Sequence, residues 1–109
     1  MLLQILDGNG TQQTIIAHGQ EAVLDSSGTI NATGIAQVAM LQNAQRSGWI
    51  MQNCGVNQQI VNELGAAAVG SGSFIVQPGE FFPPANFPVT TGIISIMGTI
   101  GDAFTMRQW

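Results

Sequence analysis

Turn signals interrupt this chain so often that no stretch between them can carry a long amphipathic helix. "LLQIL" (2–6) runs into "DGNG" (7–10) and then "TQQTIIAH" (11–18). Asp-Gly and Asn-Gly accept positive φ, so this reads as a hairpin. "EAVLD" (21–25) meets a second turn at "SSG" (26–28), and a polar stretch, "TINATG", leads to a strand-like "IAQVAML" (35–41). The second half repeats the pattern with "SGWIMQN" (47–53), "QQIVNEL" (58–64), "SFIVQ" (73–77), "GIISIMG" (92–98) and "AFTMRQW" (103–109). "AAAVGSGS" (66–73) is a small-residue loop, and "PGEFFPPANFPVTT" (78–91) holds all four prolines.

About eight short strands, with turns roughly every 8–12 residues and no α-crossovers, predict an all-β chain. The expected form is a single antiparallel β-sandwich or barrel-like, jelly-roll-like domain with an N-terminal hairpin arm. We place the arm at 1–33 and the sandwich at 34–109. A helix over "GIAQVAMLQNAQR" is the alternative, since Ile35, Val38 and Leu41 have helical spacing. Alternation of Ala36, Val38 and Met40 fits a strand equally well, and Gly34 and Gly48 bracket the segment.

Charge is what this chain lacks. Charged residues make up 7% of its 109 positions, against about a quarter in an ordinary soluble domain. Lysine is absent, and 12 Gln, 7 Asn and 14 Gly stand where charge would. With 45% hydrophobic residues the composition is not that of a disordered chain. An amide-rich surface with little charge does little to keep copies apart, and is tolerable where neighbouring subunits cover it. That points to a component of an assembly. A net charge of −4 with only Arg46 and Arg107 excludes a phosphate-neutralising patch, so neither nucleic acid nor an anionic membrane is expected as a partner. The opening "MLLQILDG" lacks the basic start and long apolar run of a signal peptide, and no run approaches the roughly 18 residues of a membrane span. The expectation is a protein made in the cytoplasm of its host cell, or released without secretion.

Catalytic constellations are missing from the pattern, and we expect neither an enzyme nor a cofactor. His18 is the only histidine, and Glu21 beside it does not complete a metal site. Asp7 and Asn9 imitate part of a calcium loop, but the further ligands and closing Glu are lacking, so the segment reads as a turn. Cys54 is the sole cysteine, which excludes an internal disulfide and a cysteine-based metal cage. "GAAAVGSGS" has neither the lysine nor the following helix of a phosphate loop. "PGEFF" with "PPANFP" reads either as an exposed sticky loop or as a core-closing turn with Phe81 and Phe82 packed beneath it.

"NAQRSGWIMQN" (43–53) puts a guanidinium just before a strongly apolar strand. A lone arginine cannot steer a phosphate-rich partner, so Arg46 reads as a structural clip at the corner. Its planar fork would hold backbone carbonyls or a carboxylate such as Glu63 or Asp102, with Asn43 closing the turn before it. Asn53 and Asn62, at the ends of their strands, belong to the same class of turn clip.

The order "VAMLQNAQRSGWIMQN", "IVNELG", "GSGSFIVQPGEFF" and "TGIISIMGTIGDAFTMRQW" resembles a diffuse group of small virion structural proteins of tailed bacteriophages. The matching positions are Asn43, Arg46, Gln52, Asn53, Val61, Asn62, Pro78, Gly79 and the Gln108-Trp109 pair. The resemblance covers roughly residues 35–109. It implies a β-sandwich without catalytic residues, whose station is the virion. A capsid decoration (cement) protein on the outer shell is the leading expectation. Its partners would be copies of itself, with a trimer as the first expectation, and the major capsid protein. Candidate interface residues are Leu2, Leu3 and Ile5 in the hairpin, Phe81, Phe82 and Phe87 in the proline-rich segment, and Trp109. A tail, baseplate or head-fibre component shares every one of these features. A carbohydrate-binding module, with Trp49 or Trp109 stacking on a sugar, is the reading from another class, although Trp49 alternates as a core residue.

Overall fold

The computed structural model describes residues 2–6 and 12–16 by their backbone, and residues 22–70 and 72–109 in full. Strands β1 (Leu2–Leu6) and β2 (Gln12–Ile16) form an antiparallel pair, in register from Leu2 opposite Ile16 to Leu6 opposite Gln12. They pair with each other and with no other described strand. The turn residues 7–11, His18 and the side chains of Leu2, Leu3 and Ile5 lie outside the described residues.

The rest is an all-β sandwich, and no helix occurs among the described residues. Its strands are β3 (Leu24–Asp25), β4 (Gly28–Thr29), β5 (Gln37–Met40), β6 (Trp49–Asn53), β7 (Gln59–Asn62), β8 (Phe74–Val76), β9 (Phe81–Phe82), β10 (Ile94–Met97) and β11 (Ala103–Gln108). One antiparallel sheet has the order β5-β10-β7-β8. In the other, β11 and β6 are central, β9 flanks β6, and β3 and β4 both pair with the far side of β11.

Period-2 alternation explains how the second sheet meets the core. Phe104, Met106 and Gln108 of β11 are buried, as are Trp49, Met51 and Asn53 of β6, while Ile50 and Gln52 point away. Ile94, Ile96 and Val61 answer from the first sheet, and Ile30, Met40, Val76 and Phe82 complete the cluster. The four residues of β7 are all buried, which alternation alone does not give. On the outer face of this sheet the segment 63–70 folds back over it. Buried Ala67 donates its backbone N–H to Ser95 Oγ (3.0 Å), and the Ala68 N–H reaches Ser73 Oγ (3.1 Å). Ile60 and Ser95, which lie outside the core cluster, are buried as well.

Residues 35–41 hold the expected strand, β5, and not the helix weighed as its alternative. One expectation is corrected here. The boundary at 33/34 falls inside the sandwich, because β3 and β4 pair with β11 and Ile30 is 1% exposed in the main core. "TINATG" contains one large apolar residue, Ile30, and its burial depends on pairing with a strand more than seventy positions later, which local composition does not reveal.

The Pro78-Gly79 turn shows why glycine stands where it does. Glu80 N–H closes onto Gln77 C=O (3.0 Å) with Gly79 at φ 83°, a conformation that side-chain-bearing residues rarely adopt. Gly48 is needed for space instead. A Cβ there would sit 2.6 Å from Cε2 of Trp109. Gly48→Ala should therefore push the Trp109 indole out toward water and shift its fluorescence to the red. An unshifted spectrum would show that the indole does not rest on Gly48.

Candidate functional site

Arg46 is 4% exposed, and oxygens surround its fork. Nη1 donates to the carbonyls of Thr90 and Gly92 (both 2.8 Å), Nη2 to the carbonyl of Leu41 (2.8 Å), and Nε to Gln108 Oε1 (3.0 Å). Asn43 Nδ2 also donates to Gln108 Oε1 (3.1 Å), while Asn43 Oδ1 accepts the Gln45 N–H (3.0 Å) in an Asx turn. Burial pushes the guanidinium below its ordinary pKa, and the four acceptors offset that desolvation. One side chain thus ties the 41–46 corner to the 90–92 loop and to β11. Neither Glu63 nor Asp102 takes part, contrary to the carboxylate alternative. Asp102 instead accepts two hydrogen bonds from Asn57, from its backbone N–H and its Nδ2 (both 3.1 Å).

Asn53, fully buried, donates from Nδ2 to the carbonyls of Asn57 (2.9 Å) and Val76 (2.8 Å) and accepts the Gly55 N–H (2.8 Å). Asn62 donates to Ser73 Oγ (3.1 Å) and accepts the Leu64 N–H (2.7 Å), fixing both ends of the covering loop. Gln108 appears in the sequence only as a position of the resemblance and not as a partner of Arg46, although strand alternation places it inward with Phe104 and Met106. A buried amide beside an arginine is the signal that was there to find.

The candidate interface residues separate. Phe81 is largely exposed, whereas Phe82 is 8% exposed at the centre of an aromatic cluster, with ring centroids 5.7 Å from Trp49, 4.8 Å from Phe74 and 5.1 Å from Phe87. Phe82 is therefore a core residue, as the core-closing reading of this segment has it, because on β9 one ring must face in when the other faces out. Phe87 is half-buried against the same cluster. Trp109 is partly exposed and exchanges backbone hydrogen bonds with Gly48 (2.9 and 3.0 Å). Trp49 sits in the core and offers no platform for a sugar ring.

Ionic features are few. Arg107 Nη1 meets Asp25 Oδ1 at 2.8 Å on the surface and Ser27 Oγ at 3.0 Å. The hydroxyl and amide of Ser27 hold the Asp25 carboxyl below its ordinary pKa, with Arg107 adding a smaller pull. An exposed pair of this kind contributes little to stability. Among the described residues no three of His, Cys, Asp and Glu are placed to hold a metal ion.

Large apolar side chains stand in water across both sheets and their loops. They include Ile35, Val38, Leu41, Val56, Leu64, Val69, Ile75, Phe81 and Ile100, with Leu64 at 86% and Val56 at 83% exposed. Beside edge strand β5 they border an open cavity of about 620 Å³. Its walls are Ala36, Val38, Leu64 and Ile93, with Gln37, Gln42, Thr90 and Ser95 as polar neighbours and Glu63 lining it. The chain matches no protein-family model, no curated protein and no solved structure.

Proposed function

We propose that this chain is a structural protein of a tailed-bacteriophage virion, a capsid decoration protein that binds the outer shell as a symmetric oligomer. The observation that carries the reading is the surface: many large apolar side chains are exposed, while charged residues are 7% of the chain and lysine is absent. An apolar, weakly charged surface is a liability for a monomer and an asset for a subunit that is covered on assembly. The β1–β2 pair, joined to no other described strand, supports the same reading, since a free strand edge can extend a neighbour's sheet. A homotrimer at a threefold site of the shell, with the major capsid protein beneath it, is the arrangement proposed.

Light scattering at micromolar protein should give the mass of an oligomer, and the protein should co-sediment with expanded shells lacking it. A monomeric mass at every concentration, together with no binding to shells, would sink the proposal. Immunogold labelling confined to the tail would move the protein to a tail, baseplate or fibre station instead.

A further inference from the structure

Glu63 is the one carboxylate lining the cavity beside β5, and it is nine-tenths buried there. Its Oε2 is shielded from solvent and accepts no hydrogen bond from the described residues. A carboxylate in such a place needs a cation or several donors. The described part of the chain supplies neither. Arg46 gives its donors to Thr90, Gly92, Leu41 and Gln108, and Arg107 is occupied by Asp25 and Ser27. A second copy brings the same two committed arginines, no lysine and one histidine, His18. A hard metal ion fits poorly, because it needs about six oxygen ligands and the walls are largely aliphatic.

We propose that this cavity is the socket for a lysine or arginine side chain of a partner polypeptide. Val38, Leu64, Ile93, Ala36 and Ala66 pack the methylene stem, and the Glu63 carboxylate, whose Oε2 is shielded before the partner binds, turns to meet the head on the cavity side. The volume of about 620 Å³ exceeds one side chain and admits the residues flanking it. Charge complementarity sets the partner's character: a basic residue within an apolar stretch, offered to a chain of net charge −4. Naming the capsid shell as its source rests on the virion reading; the chemistry of the socket does not.

The test uses isotope-labelled full-length protein titrated with acetyl-Leu-Lys-Leu-amide and acetyl-Leu-Arg-Leu-amide, with acetyl-Leu-Gln-Leu-amide as the neutral control. The amide signals of Val38, Leu64, Ala66 and Ile93 should shift with a cationic peptide. The glutamine peptide should bind about tenfold more weakly or not at all, and Glu63→Gln should abolish the difference. No shifts with either cationic peptide, equal shifts with the neutral one, or unchanged binding by Glu63→Gln would each overturn the socket. Should Glu63→Gln fail to fold, Ile93→Lys and Ile93→Met decide. The lysine should occupy the cavity and block the peptide while the methionine does not, and binding retained by Ile93→Lys overturns the proposal. Shells bound equally well by wild type and Glu63→Gln would refute the shell as the source of the basic residue. Peptide binding by a protein that ignores shells would refute only the virion reading.

Discussion

Arg46→Ala is expected to destabilise the protein by at least about 3 kcal/mol, because the carbonyls of Leu41, Thr90 and Gly92 lose their donor inside a corner that water enters poorly. Against a total stability of about 5–15 kcal/mol for an ordinary domain, this is among the largest single-residue effects the fold offers. Urea denaturation followed by tryptophan fluorescence measures it. Arg46→Lys keeps the charge but replaces a planar fork with a single ammonium, which cannot reach four acceptors on three segments. The lysine variant should fall between the two, with Tm lowered by a few degrees. Unchanged stability together with lost binding to particles would make Arg46 an interface residue and end the clip interpretation.

The second large effect lies at the other side of the core. Phe82→Ala removes the ring on which Trp49, Phe74 and Phe87 converge, and should cost about 3–5 kcal/mol. Its neighbour gives the control. Phe81 extends from the same short strand into solvent, so Phe81→Ala should change stability by no more than about 0.5 kcal/mol. Matching losses for the two variants would mean that Phe81 is also packed in solution, which a covering neighbour would bring about. Comparing the pair at low and high protein concentration separates folding from assembly.

Most of the sandwich can be read from the sequence because its strands declare themselves locally. Ile94 and Ile96 lie in an apolar run bounded by glycine, and "AFTMRQW" alternates as a half-buried strand must. What stays hidden depends on distant partners. Ile30 looks like a stray apolar residue in a polar stretch until β11 lies beside it. Glu63 looks like an exposed acid until the loop after it folds back over the sheet, a contact held by the hydroxyls of Ser73 and Ser95. Arg46 was legible as a clip, but not its acceptors, since backbone carbonyls carry no residue signature. Trp49 as core was legible; the split between Phe81 and Phe82 required knowing which face of β9 meets the sheet opposite.

The central place of β11 has a kinetic consequence. Its two flanks are β6 on one side and the short strands β3 and β4 on the other, the latter from the beginning of the sandwich. The Ser27 hydroxyl and the Met106 backbone, 79 positions apart, must meet before that sheet is whole. Closing so long a loop precedes any reward from the contacts it allows, and topologies of this kind fold in milliseconds to seconds rather than microseconds. During that interval strand edges and apolar faces are open at whatever concentration the cell has reached. Maturation of each subunit therefore runs as a race between intramolecular closure and premature sticking to its neighbours.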